Sequence, residues 1–432
     1  MNRYDRYKDS GIPWLGEVPE HWEIKHSNQI FKIHNGATPK TSEPDYWGDE
    51  IAWFTPKDLG DNKNKEIAAS LKMITKEGYE NCGVSLAPAK SIALSKRAPI
   101  GHLAITLLPA VVNQGCFLLE VLSPNDVNYL YYWLYANKST LNSFGQGSTF
   151  MELPREKFAM LKISIPSEKE QTAIAHYLDT KLGEIDALID KQQTLLEKLA
   201  EQRTAVITHA VTKGLNPTAP MKNSGVEWLG DVPAHWEVLS IKRLSQVKRG
   251  ASPRPIDNPD YFDDDGEYAW VRIADVTASN MYLLETTQRL SDLGKSFSVP
   301  LQPNSLFLSI AGSVGKPIIT KIKACIHDGF VYFPEYKNNI NFLYYIFCSG
   351  QPYLGLGKMG TQLNLNTDTV GAIKIALPTR EEQDNIADYL DKETAKIDDL
   401  CDTVNQTIGR LKEYRTALIT QAVTGKIKIT DE

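Results

Sequence analysis

Residues 167–213 read SEKEQTAIAHYLDTKLGEIDALIDKQQTLLEKLAEQRTAVITHAVTK, and this stretch constrains the fold more than any other. Ser167 with Glu170 three residues later is a capping-box pattern, no proline follows, Gly183 is the single internal glycine, and Gly214 stands where a helix would stop. Apolar residues then recur at alternating spacings of three and four: Ala175, Leu178, Leu182, Ile185, Ile189, Leu196, Leu199, Val206 and Ala210, with Gln192 and Arg203 as the polar members of the same row. That is a heptad seam, which keeps one helix face turned toward another helix. From 175 to 210 it is about 54 Å long at about 1.5 Å per residue. An ordinary globular domain does not bury a rod of that length, so the pattern requires a partner rod.

The partner is in the same chain. Gln171 aligns with Gln383, a shift of 383 − 171 = 212, and without a gap Tyr177-Leu178-Asp179 meets Tyr389-Leu390-Asp391, Ile185-Asp186 meets Ile397-Asp398, and Arg203-Thr204-Ala205 meets Arg415-Thr416-Ala417. The seam returns as Ala387, Leu390, Thr394, Ile397, Cys401, Val404, Ile408, Leu411, Arg415, Leu418 and Ala422. Of these positions Leu178, Ile185, Ile189, Leu196, Leu199, Leu390, Ile397, Val404, Ile408 and Leu411 are the expected core of the pairing. The matched seam and the long segment between the rods predict an antiparallel coiled coil within one chain. Arg203 and Arg415 are expected to reach outward to carboxylates, because a buried unpaired charge is too costly.

The repeat extends beyond the rods. Ser10-Gly11 through Trp14-Leu15-Gly16 to Pro19-Glu20-His21-Trp22-Glu23 returns as Ser224-Gly225, Trp228-Leu229-Gly230 and Pro233-Ala234-His235-Trp236-Glu237. Looser matches follow: Gly36 and Pro39 with Gly250 and Pro253, Pro44-Asp45-Tyr46-Trp47 with Pro259-Asp260-Tyr261-Phe262, Ala52-Trp53 with Ala269-Trp270, and Asp58 with Asp275. The chain therefore divides into a globular half (1–166), a rod (167–213), a second globular half (214–378) and a second rod with a tail (379–432). Within each half, short apolar runs predict strands at 90–94, 103–107 and 116–121, and at 305–310, 317–322 and 329–333. An aromatic helix follows at 127–137 or 340–349, then a glycine-rich loop and a last strand at 160–165 or 372–377. The fold class is α+β: two similar mixed domains separated by two long helices, with an internal pseudo-twofold repeat. Residues 59–90 and 276–304 show little similarity to each other, as if one frame carried two different sets of surface loops.

Composition narrows the class. No apolar run reaches 18 residues, so no membrane span is expected. The polar segment 1–11 is unlike a signal peptide, and five scattered cysteines read as free thiols of a cytoplasmic protein. Taken alone, the net charge of −6 disfavours nucleic acid. However, the stretch 167–213 holds six Lys/Arg against eight Asp/Glu, and 379–432 holds eight against twelve, so the acidity lies on the rods and the rest is neutral.

Motifs for chemistry are missing. Gly355, Gly357 and Gly360 fit GxGxxG but neither follow a strand nor open a helix, and Gly315-Lys316 lacks the rest of a phosphate loop. Asn258-Pro259-Asp260-Tyr261 resembles the Asn-Pro-Pro-Tyr box of adenine methyltransferases, but no cofactor loop accompanies it and a turn is the better reading. The histidines have no zinc spacing, and His21 and His235 read as structural. The aromatic stripe Tyr129, Tyr131, Tyr132, Trp133, Tyr135 is read as core rather than as a base-stacking platform. Candidate DNA contacts are Lys40, Lys57, Lys96, Arg97, Gln114, Gln146, Ser148 and Thr149 in the first half, and Lys248, Arg249, Arg254, Arg272, Lys316, Lys358, Thr361 and Gln362 in the second. Arg and Gln can read purine edges, while Lys, Ser and Thr hold phosphates.

The repeated Ser-Gly-x-x-Trp-Leu-Gly-x-x-Pro-x-His-Trp at 10–22 and 224–236, together with Pro166, Glu170-Gln171 and Pro378, Glu382-Gln383 at the starts of the rods, closely resembles the specificity subunit of type I restriction–modification enzymes. The resemblance covers nearly the whole chain. It implies two target-recognition domains that read the two halves of a split DNA site. It also implies rods that fix the gap and hold two modification (methyltransferase) subunits, and restriction subunits with translocase and nuclease activity that join through those. The chain itself would be non-catalytic, with S-adenosylmethionine, ATP and magnesium on the partners. The alternatives are a protein scaffold with no DNA role, separable by duplex binding, and a fused methyltransferase or nuclease, separable by cofactor binding.

Overall fold

The structure is a computed structural model that describes residues 3–97, 99–147, 151–354, 356 and 365–429. Two helices dominate it, Glu168–Lys213 and Arg380–Val423. Their first turns are capped alike: Ser167 Oγ accepts from the Glu170 amide at 3.4 Å, and Thr379 Oγ1 from the Glu382 amide at 3.3 Å. They also stop alike, at Gly214 and Gly425 with φ of 73° and 68°, the left-handed conformation that glycine adopts without penalty. A Cβ on Gly425 would stand 2.3 Å from Pro19 Cδ, so that position also needs a residue without a side chain.

The described chain separates into two compact units, Met1–Gln192 with Gln406–Glu432, and Gln193–Asn405. Each unit thus contains the start of one long helix and the end of the other. In the first unit Arg415 Nε donates to Asp186 Oδ1 at 3.0 Å. In the second, Arg203 Nη1 donates to Asp398 Oδ1. In both pairs an early position on one helix meets a late position on the other, so the helices run antiparallel. Leu178, Ile185, Ile189, Leu199, Leu390, Ile397, Val404 and Ile408 are buried, and Leu196 and Leu411 are half-buried.

In the first unit a five-stranded sheet runs Phe31–Asn35, Cys116–Val121, Ile92–Ser95, Leu103–Thr106, Glu66–Ile67, antiparallel except for the last pair. A four-stranded sheet runs Ala110–Val112, Ile51–Phe54, Met73–Ile74, Trp47–Gly48, with its first pair parallel. The second unit has the same five-stranded order and a four-stranded sheet with the same three adjacent strands, its fourth strand lying at the other edge. One runs Lys248–Arg249, Phe330–Tyr332, Ser305–Ser309, Pro317–Thr320, Tyr282–Leu283, and the other Gln288–Leu290, Tyr268–Val271, Ala324–Ile326, Val299–Leu301. Tyr282–Leu283 again adds parallel, and Tyr268–Val271 again lies parallel to Ala324–Ile326.

The aromatic helices Val127–Ala136 and Ile340–Cys348 pack inward. Tyr129, Tyr131, Tyr132 and Trp133 are buried, while Tyr135 is 39% exposed and its ring lies 5.8 Å from the Arg415 guanidinium. In the second unit Phe342 and Tyr345 share one core with Ile207, Val211, Ile386 and Leu390 of the long helices. Each such aliphatic side chain contributes roughly 1.5–3 kcal/mol when buried. Gln171 and Gln383 fix the junction: each side-chain amide donates to a proline carbonyl, Pro166 at 3.0 Å or Pro378 at 2.9 Å, and accepts from the amide of Asp126 or Asn339.

The dissimilar middle segments, 59–90 and 276–304, carry one backbone design instead of two sets of loops. Thr75 and Ser291 each cap a short helix by accepting from the amide of Gly78 or Gly294, and each hydroxyl donates to a carbonyl, Asp45 or Asp260, at 2.7 Å. A Cβ at Gly78 or Gly294 would strike the Tyr46 or Tyr261 carbonyl oxygen at 2.3 or 2.2 Å. Lys90 and Asn304 both have positive φ, 64° and 65°. Because of that turn the first strand begins at Ile92.

Candidate nucleic-acid interface

The candidate residues collect at matching loop edges of the two units. In the first unit the loop after Phe31–Asn35 carries Lys40, whose ammonium lies 2.7 Å from Glu43. Gly36 rests on turn 113–115 so closely that a Cβ there would be 1.8 Å from the Asn113 carbonyl oxygen. Exposed Gln114 is at the tip of that turn, with its Oε1 accepting from Thr38 Oγ1. Pro56 at the start of helix Pro56–Asp61 lies against Gly115 (a Cβ there would be 2.9 Å from Pro56 Cγ), which brings exposed Lys57 to the same edge. Lys96 and Arg97 gather on Glu152, at 2.8 and 3.4 Å, and Gln146 pairs its backbone with Glu152 in both directions. The hydrogen bond from Lys96 holds the Glu152 carboxyl below its ordinary range, against a smaller opposing effect of burial. Lys96 also lies over the Phe117 ring at 5.0 Å, so it braces the loop while Lys40, Lys57 and Gln114 face outward.

In the second unit the strand Lys248–Arg249 leads into Gly250, which rests on turn 327–329 in the same way. Arg249 Nε donates to the Asp328 carbonyl, and Arg254 Nη2 lies 3.4 Å from the Asp328 carboxylate. Ser252 Oγ donates to that carboxylate at 2.8 Å, and this bond, before the nearby cations, pulls the Asp328 carboxyl below its usual range. Exposed Arg272 precedes helix Ile273–Ala278 at the position Thr55 holds before its counterpart, and the backbone amide of each donates to an aspartate of the first turn, Asp275 or Asp58, at 2.8 Å. Lys316 is turned inward, onto the carbonyls of Thr277 and Ser279 at 3.0 and 2.6 Å, and burial pushes its ammonium pKa down. It braces that turn and does not join the edge. Ser148, Thr149, Lys358, Thr361 and Gln362, like Gly355, Gly357 and Gly360, lie outside the described residues.

Gln114 has no counterpart among the residues that match between the halves in sequence. Placing 113–115 on 327–329 needs the shift of 214 that already relates Gly36 to Gly250, and Asp328 and its partner Ser252 then stand opposite Gln114 and Thr38. The motif at 258–261 is a short 3-10 turn, Pro259–Tyr261, with Asn258 capping it. All five cysteines are free.

The family described as type I restriction modification DNA specificity domain covers residues 19–198 and 233–410. The chain belongs to this family. It is a specificity subunit with two such domains. Its relatives include the type I restriction enzyme MjaIX specificity subunit of Methanocaldococcus jannaschii, 32% identical over 55% of this chain and 55% of that protein. The putative MjaX specificity subunit of the same organism is 25% identical over 96% of both chains. Among solved structures, a chain from a type I restriction–modification system studied for complex assembly and conformational transition has a TM-score of 0.74 at 14% identity, covering 95% of this chain and 99% of that one. The HsdS subunit from Thermoanaerobacter tengcongensis has a TM-score of 0.58 at 15% identity, covering 95% and 98%. These likenesses establish the fold of the specificity subunit. Among its described residues, no helix is long and apolar enough to cross a membrane.

Proposed function

We propose that the two globular halves of this specificity subunit, 1–166 and 214–378, each read one half of a split, asymmetric site in double-stranded DNA. The two long helices set the unread gap and dock two modification (methyltransferase) subunits, through which restriction subunits join. The reading rests on one observation above others: matching glycine-buttressed loop edges in the two units carry unlike exposed side chains, Lys40, Lys57 and Gln114 in one and Arg249, Arg254 and Arg272 in the other. Lysine and arginine supply the salt-dependent attraction to phosphates, and the amide and guanidinium groups supply base readout in the major groove. Methylation of a base requires extruding it into a separate catalytic pocket. That division of labour suits a non-catalytic cytoplasmic chain whose partners carry S-adenosylmethionine, ATP and magnesium.

The test is an exchange of residues 1–166 for the equivalent domain of a relative, followed by sequencing of the methylated sites in cells. One half-site should change and the other stay. A change in both, or in neither, overturns the modular reading.

A further inference from the structure

The two recognition edges share one rigid turn. In each, a glycine that tolerates no Cβ, Gly36 or Gly250, presses on the carbonyl of the turn's first residue, Asn113 or His327. The side chain of that first residue accepts from the amide two positions on, Gly115 or Gly329, at 2.8 Å in both cases. The amide of Lys96 or Ile310 then donates to the carbonyl of that same glycine, again at 2.8 Å in both. A hydroxyl, Thr38 or Ser252, donates to a side-chain oxygen of the middle residue, Gln114 or Asp328. The backbone and its bracing are therefore the same, and the middle side chain differs. A fixed frame that holds a variable polar group at the tip, rotamer locked by a hydroxyl, is what base discrimination requires.

We infer that these turns set base identity in the two half-sites: Gln114 reads an A·T pair, and Asp328 together with Arg254 reads a G·C pair. This rests on the DNA reading proposed above. Gln114 Oε1 keeps a lone pair beyond its bond from Thr38, so it accepts from adenine N6 while its amide nitrogen donates to N7. Asp328 is an acceptor only and takes a hydrogen bond from cytosine N4. Arg254 is 79% exposed at its side chain and meets Asp328 through one nitrogen. The rest of its fork is free for O6 and N7 of the guanine paired to that cytosine. Arg249 is held on the Asp328 backbone and serves the adjoining phosphate.

The full chain is incubated with a pool of random duplexes, and the bound sequences are read for the wild type, Gln114→Glu, Asp328→Asn and Arg254→Ala. Glu and Asn retain the oxygen that Thr38 or Ser252 binds, so the turns stay braced. Gln114→Glu should lose adenine preference at one position of one half-site by roughly ten-fold or more, the scale of a bidentate contact. Asp328→Asn and Arg254→Ala should both relax one position of the other half-site. A wild type that selects no sequence removes the DNA reading itself. A wild type that selects a split site, with every position unchanged in Gln114→Glu and Asp328→Asn, overturns the turn assignment alone. So does a single variant that alters both half-sites.

Discussion

Trp22 Nε1 donates to Glu170 Oε1 at 3.1 Å, and Trp236 Nε1 donates to Glu382 Oε1 at 3.0 Å. The second oxygen of each carboxylate meets His21 or His235, at 2.9 and 3.0 Å. One glutamate in the first turn of each long helix therefore ties down the repeated His-Trp motif of its own unit, where the helix dipole also favours a negative charge. Tyr4 adds its hydroxyl to Glu170 in the first unit, and burial together with that carboxylate pushes the phenol well above its ordinary pKa.

Replacing Glu170 by alanine leaves the buried Trp22 N–H without a partner. The loss of stability should be about 1–3 kcal/mol, and Glu170→Gln, which keeps an acceptor, should lose less. Urea denaturation of the full chain, followed by tryptophan fluorescence, measures the difference.

Leu199 is 6% exposed and Leu188, on the same helix, is 46% exposed. Leu199→Asp places a carboxylate in the seam and should cost about 3 kcal/mol or more. Leu188→Asp should stay within about 0.5 kcal/mol. Leu411 is half-buried, so its substitution should fall between. Circular dichroism melts rank the three, and equal effects at 188 and 199 would refute the seam assignment.

His327 accepts from the Gly329 amide through Nδ1, and burial holds its pKa below the ordinary 6.5, with Arg249 and Arg272 adding to the effect against Asp328. A depressed histidine pKa means that the unfolded chain takes up the proton first. Its contribution to stability is therefore complete above about pH 6.5 and falls as the pH drops toward the folded value. His327→Asn, which places there the residue found at position 113, should flatten that part of the pH dependence of the melting temperature. An unchanged profile would show that another group is responsible.

Under the proposed function, deleting 189–195 together with 401–407 removes one heptad from each helix, roughly 10 Å at about 1.5 Å per residue. That equals about three base pairs of rise at ~3.4 Å each. It turns one half-site by about 100° at a repeat of about 10–10.5 base pairs. The variant should prefer a shorter unread gap or stop binding. Sequencing methylated sites in cells decides between these outcomes, and an intact gap with full methylation would mean that the helices do not set it.

The long helices were legible because a heptad pattern is local and periodic: each apolar residue three or four positions from the last reports the same face. The outward reach of Arg203 and Arg415 followed from the cost of burying charge, although the carboxylates they meet, Asp398 and Asp186, lie far away along the chain. The inward packing of Tyr129 to Trp133 followed from helical spacing in the same way.

The family, the doubled α+β plan, the helix seam and the pool of candidate polar residues were all determined by the sequence alone, since periodicity and repeated motifs are written along the chain. Tertiary structure decided the equivalence of 59–90 with 276–304, because hydroxyl caps and backbone carbonyls specify those turns and Thr75 and Ser291 do that work with little similarity around them. It also decided which candidate cations face outward. Lys96 finds Glu152 and Lys316 finds two carbonyls only when strands distant in sequence come together. No spacing along the chain encodes a partner that the folding of another segment supplies.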